Sequence, residues 1–508
     1  MNIKSKIIVI IIFLVLSLGI FSFIMNENLF IDENMYVTAG VLIQEYSLYS
    51  EFSYLQMPYL PIMYGMIFKL TGTDKYLLTA RIINVFFTLA SAIFIFLIAY
   101  KVCGDLFISI CTLLLFVFNE TLIWTMGFAW NAVMPITFTL MAIYVYITSV
   151  KEERVSILGV MASGMLVALA TGTKLYYGVV FIPFLIVALL FPSSFSRNRR
   201  LKIVFFPMII GYLFGSIPVL YYMIQDFELF WFNNIGFHFL DEYDVTGIDS
   251  MNIQQKLQAG LKYLGKQTTI SVFIAVITIG LLVISTLKKG NNNLLEYFGK
   301  KCVLVILLVI FTIPVAFIGS PVWEHYFALP LPFVILIIPS FFNILSANQR
   351  ETVQLLFICI MIVVMLYGGP QLYGSVNRIA TVNSWEPIRF HRDSKELREY
   401  IGELRDDEKV LSLYSLYAVE AGLPVYREFS SGVFLYPVGD LLNADQRKRI
   451  NTPSPGTLID FLEENPPKVL LLVMLQPQFD KPFYKFVEDN DYREMERHFF
   501  GHTIFIKK

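Results

Sequence analysis

Along most of the chain, long unbroken apolar runs alternate with short polar connections, the pattern of helices buried on all sides in lipid and not of one-sided amphipathic elements. The first run, residues 7–24, follows Lys4 and Lys6 and is long enough to cross a hydrocarbon core of about 30 Å. It ends in Phe23-Ile24-Met25-Asn26 without a small-x-small cleavage site, so it reads as a retained first span and not as a signal peptide. Further apolar runs at 82–100, 106–118, 133–150, 155–170, 176–191, 203–224, 269–287, 303–318, 327–345 and 353–367 predict about eleven transmembrane helices in total.

The polar connections carry an orientation. With the N-terminus inside, the inside connections hold Lys101; Lys151 and Arg154; Arg197, Arg199, Arg200 and Lys202; Lys288, Lys289, Lys300 and Lys301; and Arg350. The alternate loops are poor in Lys and Arg, and one carries the acidic stretch Asp241-Glu242-Tyr243-Asp244. Positive charge on alternate loops predicts a multi-pass protein of the plasma (inner) membrane with a cytoplasmic N-terminus and an extracytoplasmic C-terminus. Two outside loops, 26–80 and 225–268, are too long to be simple connectors, and loops of that length usually hold function.

After residue 367 the pattern changes. Residues 368–508 contain charged clusters such as His391-Arg392-Asp393-Ser394-Lys395-Glu396 and no spanning run. Strands are expected at 409–414 and 468–474, helices at 394–404 and 455–464, and a closing hairpin at 492–507 around Gly501. The expected architecture is a polytopic α-helical membrane domain over 1–367 followed by a soluble extracytoplasmic α/β domain over 368–508.

Composition agrees. Of 508 residues, 56% are hydrophobic and 16% charged, with a mean hydropathy of +0.63, whereas soluble domains carry about 25% charged residues. These values exclude a disordered chain and an ordinary cytosolic enzyme. A net charge of −1 gives no global field for nucleic acid, and no basic, aromatic-interleaved patch appears. Cys103, Cys111, Cys302 and Cys359 lie in or beside apolar runs without CxxC or Cys/His spacing, and read as small core hydrophobes.

The first long loop holds the densest chemistry. It opens Phe30-Ile31-Asp32-Glu33-Asn34-Met35-Tyr36, passes through Tyr54-Leu55-Gln56-Met57-Pro58, and leads by a second amphipathic stretch, 62–70, to Arg81 at the head of the second span. Two short helices in the interface plane would hold Asp32 and Arg81 at one membrane level. Taken singly these residues have plain structural readings, Asp32 as an N-cap with Glu33 in the first turn and Arg81 as a snorkelling arginine. An acid at the mouth of a membrane bundle is also a functional candidate.

Asp-Glu-x-x-Tyr after the first span, a proline-containing segment further on and an arginine opening the second span together resemble the GT-C membrane glycosyltransferases, in particular the branch with protein O-mannosyltransferases and the lipid A aminoarabinose transferase. The resemblance implies a transferase that takes a sugar from a polyprenyl-phosphate donor and passes it to a lipid, glycan or protein acceptor at the extracytoplasmic face. It implies Asp32, with Glu33 beside it, as the catalytic carboxylates, Arg81 as a donor-phosphate contact, and Tyr36, Tyr54 and Tyr326 as substrate contacts. Such chemistry suits these residue types: polyprenyl phosphate leaves as a stable anion, so one carboxylate to deprotonate the acceptor suffices, and a cation stabilises the departing charge. One-step displacement would invert the anomeric centre.

The match has departures. Gln56-Met57-Pro58 stands where relatives carry Lys-Pro-Pro, and Asn131 stands where a second acid is common. Glu120 nearby reads as a solvated loop glutamate. Lys174 supplies the missing positive charge in one reading and is a snorkelling lysine in the other. His325, in Pro321-Val322-Trp323-Glu324-His325-Tyr326, touches donor phosphate or shuttles a proton in one reading and sits in an aromatic belt in the other. Thr171-Gly172-Thr173-Lys174 lacks a phosphate loop's upstream glycine, and His498 and His502 lack a helix to align them. No cofactor is called for; a divalent metal is compatible with this chemistry, but no ligand set supports one. The rival classes are a secondary transporter, which would show paired halves, and a non-catalytic membrane scaffold.

Overall fold

The computed structural model describes residues 2–240, 251–287, 294–405, 407–473, 477–499 and 501–508. The acidic stretch 241–244 and the inside lysines Lys288 and Lys289 lie outside the described residues. Each expected apolar run overlaps helix, though 303–318 and 327–345 run past their helix ends at Val315 and Phe342. Among the described residues, five helices are long and apolar enough to cross a membrane, or up to seven if each of two bent pairs counts as one span, and four of the expected runs are shorter apolar helices. The polar-loop logic does not see such breaks. One of them separates α5 (Leu106–Val117) from α6 (Glu120–Met126), where Asn119 accepts a hydrogen bond from Leu122 N at 3.1 Å and starts a new helix at 61° to the old one.

The chain folds as two compact units. The first comprises Met1–Glu27, Asn84–Ile217 and Ser250–Ala380. Helix α1 (Ile3–Asn26) leaves Ile7, Ile8, Ile10, Ile11, Leu14 and Leu18 about half exposed or more, an outer face that is stable against lipid and not against water. Inside the unit, close packing rests on small residues. Helix Phe206–Gly215 crosses Ile157–Thr173 through Gly211 and Gly215, and a Cβ on Gly211 would stand 1.9 Å from the carbonyl oxygen of Met161. Gly211→Val is therefore expected to lower the thermal midpoint in detergent by the equivalent of about 1–3 kcal/mol, while Gly280→Val, which meets nothing within 4 Å, leaves it unchanged. Equal midpoints would remove this crossing from the account. The cysteines do not all behave as core residues: Cys111 and Cys302 are buried, Cys103 is intermediate and Cys359 is exposed, on the long helix Ala347–Tyr373.

The second unit joins Asn28–Ile83, Pro218–Asp249 and Thr381–Lys508. The division at 367/368 expected from hydropathy is thus replaced by a discontinuous one, because helix Ala347–Tyr373 outlasts its apolar stretch and the two long loops pack as part of the second unit. In the first loop, α2 (Ile31–Leu42) lies against α3 (Tyr59–Thr71) with Gly40 and Gly65 at the contact; a Cβ on Gly65 would meet the Gly40 carbonyl oxygen at 2.9 Å. Gly72 ends α3 with φ +60°, a conformation that suits glycine. Helix α4 (Tyr76–Cys103) begins earlier than the apolar run, which puts Arg81 in its second turn and not at its head.

Segment Thr381–Lys508 carries a four-stranded sheet, β1 (Val410–Ser412), β2 (Val469–Leu472), β3 (Tyr492–Glu494) and β4 (Thr503–Lys507), in the order β1-β2-β4-β3. β1 and β2 pair in parallel and the other pairs are antiparallel. Leu411, Leu470 and Phe505 pack on one face with Leu458, Leu462 and Phe483, and Val410, Leu471 and Ile504 on the other with Leu397 and Ala418. The strands and closing hairpin lie where the alternation placed them, with Gly501 at φ +76°. Helices Leu416–Glu420, Ala444–Ile450 and Pro477–Asp489 are additions.

Candidate functional site

The eight candidate residues fall into two groups. In the second unit, the first turn of α2 supplies Asp32 and Glu33, and α4 supplies Arg81. Glu33 and Arg81 have fully buried side chains and form a two-pronged ion pair, Nε to Oε1 at 2.9 Å and Nη2 to Oε2 at 2.7 Å. Glu33 Oε2 also accepts from Phe30 N at 3.0 Å, and Arg81 Nη2 donates to Asn28 O at 3.3 Å. The pair thereby fixes both the entry of the chain into α2 and its seat against α4.

This geometry corrects the capping reading. The cap position is Phe30, and it is Glu33, in the first turn, that satisfies a backbone N–H there; Asp32 lies inside the helix and is half-buried. Successive helical residues diverge by about 100°, so Asp32 faces a different direction from Glu33. Arg81 is bound to Glu33 through two of its nitrogens.

The tyrosines of this unit stand close by. Tyr36 is one turn beyond Asp32 and meets Tyr54 edge to face, with ring centroids 6.0 Å apart. Both are buried, Tyr54 completely. The Tyr54 backbone N–H donates to Asn233 Oδ1 at 3.1 Å, tying the first long loop to the second.

The other group belongs to the first unit. Lys174, at the junction of helix Ile157–Thr173 and the turn Leu175–Val180, is only 5% exposed. Its Nζ lies 5.8 Å from the Trp130 ring centroid and 5.2 Å from that of Tyr176. His325 is half-buried, not exposed as an aromatic belt would have it. Its ring meets Trp130 at 5.0 Å and Tyr326 at 4.5 Å, and Tyr326 meets Tyr176 at 6.1 Å. Lys174, His325 and Tyr326 thus share one aromatic enclosure. A cation so desolvated favours an anionic group that exchanges its own hydration for the ammonium.

Trp130 and Tyr176 form the walls of that enclosure. Their signal in the sequence was adjacency, Trp130 beside Asn131 and Tyr176 two residues after Lys174. Glu120 is also corrected: its Oε2 accepts from Thr268 N at 3.2 Å and Thr268 Oγ1 at 3.0 Å, capping helix Gln267–Leu287, so it is structural and not solvated. Among the described residues, no group of three or more His, Cys, Asp or Glu is arranged to hold a metal ion.

No protein-family model matches the sequence, and no curated protein does. Solved structures match in fold. ArnT from Cupriavidus metallidurans in the apo state aligns over 99% of this chain and 98% of its own, with TM-score 0.65 at 10% identity. The same protein bound to undecaprenyl phosphate aligns over 98% and 97%, with TM-score 0.62 at 11% identity. The archaeal oligosaccharyltransferase AglB from Archaeoglobus fulgidus, in complex with an inhibitory peptide and a dolichol-phosphate, aligns over 92% of this chain and 70% of its own, with TM-score 0.54 at 9% identity. The chain thus shares its fold with ArnT over 99% of its length and with AglB over 92%.

Proposed function

We propose that the chain is a membrane glycosyltransferase that moves a sugar from a polyprenyl-phosphate donor to a lipid, glycan or protein acceptor at the extracytoplasmic face, with inversion at the anomeric carbon. The observation that carries this reading is the first turn of α2, a helix start that a buried Glu33–Arg81 pair holds rigid with Asp32 beside it, in a chain whose fold is that of ArnT along its whole length. The structure of ArnT with undecaprenyl phosphate supports the donor class.

In this reading Asp32 is the base. Its carboxylate orients the acceptor hydroxyl and takes its proton as the new glycosidic bond forms, and the carbon–oxygen bond to the phosphate breaks with its electron pair on the phosphate oxygen. Glu33 serves the chemistry by holding Arg81, and Arg81, with Nε and Nη2 engaged by Glu33, serves it first by holding the turn in place. Lys174 is the principal cation for the donor phosphate. His325 and Tyr326 border it, and Tyr36 and Tyr54 contact substrate beside Asp32.

The lipid headgroup tests the assignment of Lys174. Purified protein should bind undecaprenyl phosphate, observed by native mass spectrometry, and Lys174→Met should weaken it about 10- to 100-fold, as expected for loss of a charge-assisted hydrogen bond of about 1.5–3 kcal/mol. Equal binding of undecaprenol and undecaprenyl phosphate would contradict a phosphate site.

A further inference from the structure

The turn that bears Asp32 is held from a third direction, by the segment that follows strand β1. Asn34, next to Glu33 on α2 and 1% exposed, accepts a hydrogen bond at Oδ1 from Leu416 N at 2.8 Å, and its Nδ2 makes a longer bond to Leu413 O at 3.5 Å. Four residues beyond Leu416, at the other end of the short helix Leu416–Glu420, the Glu420 side chain is again 1% exposed. Its Oε2 accepts from Leu77 N at 3.1 Å, one of the first-turn N–H groups of α4 that have no partner within the helix. Its Oε1 meets His391 Nδ1 at 2.9 Å. Leu77 is one turn before Arg81, as Asn34 is one residue after Glu33.

These bonds close a ring. It runs from α2 through Glu33 and Arg81 to α4, from α4 through Leu77 N and Glu420 to the short helix, and from that helix through Leu416 N and Asn34 back to α2. Every side chain in it is buried. An amide and a carboxylate taken out of water cost more than an apolar side chain of like size unless their bonds are well made; burial raises the Glu420 carboxyl above its ordinary range against the opposing pull of His391 and the Leu77 N–H. Groups that are costly to bury and bonded at specific backbone atoms fit a demand for geometry better than one for cohesion.

We propose that residues 413–420 form a clasp that sets the angle and register of the first turn of α2 against α4, with Asn34 and Glu420 as positioning residues for Asp32. The clasp gives the C-terminal α/β segment a part in the reaction, although it supplies no group to the reacting atoms. Its catalytic consequence rests on the transferase reading above; its structural consequence does not. A carboxylate displaced by about 1 Å loses about 100-fold in rate, while donor affinity, set elsewhere, stays the same.

The test compares full-length protein with Asn34→Ala, Glu420→Ala and Glu420→Gln. The alanine variants should lose about 10- to 100-fold in kcat with donor KM changed less than about threefold, and Glu420→Gln, which keeps an oxygen for Leu77 N, should restore most of the rate. Hydrogen exchange over residues 31–36 should quicken in both alanine variants and stay slow in Glu420→Gln. If the alanine variants do not accumulate, Glu420→Asp, one methylene too short to reach Leu77 N, takes their place. Unchanged exchange in the alanine variants, or a glutamine variant as impaired as alanine, would overturn the clasp. Quickened exchange together with a wild-type protein that transfers no sugar would uphold the clasp and overturn the transferase reading.

Discussion

Asp32→Asn is expected to reduce sugar transfer by about 10²- to 10⁴-fold, the range for loss of a positioned general base, while the variant elutes and melts like the parent. The amide keeps the size and rotamers of the carboxylate. It gives up the interaction of a negative charge with the N-terminal end of α2, about 0.3–1 kcal/mol, which a fold secured by Glu33, Arg81 and Asn34 tolerates. Donor binding should persist, because the lipid phosphate is assigned to Lys174. The informative combination is therefore turnover lost with undecaprenyl phosphate binding retained. An Asp32→Asn protein that transfers sugar at the parental rate would remove Asp32 from the mechanism.

The second large effect is on stability. Glu33 and Arg81 have fully buried side chains and are joined by two bonds, and removing either alone leaves a buried charge without its counter-ion, at a cost of about 3–5 kcal/mol. Arg81→Met and Glu33→Leu should each lower the thermal midpoint in detergent sharply and reduce the yield of folded protein. The double variant should recover most of this loss, because two apolar groups in contact need no hydration. Recovery should be incomplete, since Phe30 N also loses its acceptor, at about 1 kcal/mol. Single variants as stable as the parent would show that the pair is solvated in the membrane protein and does not hold the turn.

How much of this was legible in the sequence differs by element. Apolar runs located the helices because lipid imposes a length and a composition on each residue stretch independently of its neighbours. The strands β1, β2 and β4 were legible for a similar reason, short β-branched and aliphatic runs bounded by turn residues. The first-loop motif directs attention to Asp32, Glu33 and Arg81, but the part each acid plays depends on helix phase: a shift of one residue turns a side chain by about 100°, and the chain enters the helix at Phe30, two residues before the cap position that Asp32 offers in the sequence. The break between α5 and α6 coincides with the end of the apolar run at 118; the short helix Glu120–Met126 beyond it was not legible because Asn119-Glu120 reads as the start of a loop. Trp130 beside Lys174, and Asn34 and Glu420 in the clasp, act through contacts across 40 or more residues of sequence, a separation at which periodicity carries no information. Their polarity or aromaticity was visible; their partners were not.

The central claim is that a polyprenyl-phosphate sugar is the substrate. The direct measurement offers purified full-length protein, in lipid nanodiscs, a panel of undecaprenyl-phosphate sugars with lipid, glycan and peptide acceptors, and follows free undecaprenyl phosphate and the anomeric configuration of the product. The account predicts that at least one donor is consumed by the parent and spared by Asp32→Asn, with inverted configuration in the product. A retained configuration would contradict the one-step displacement, and a protein that neither binds undecaprenyl phosphate nor consumes any member of the panel would contradict the account as a whole.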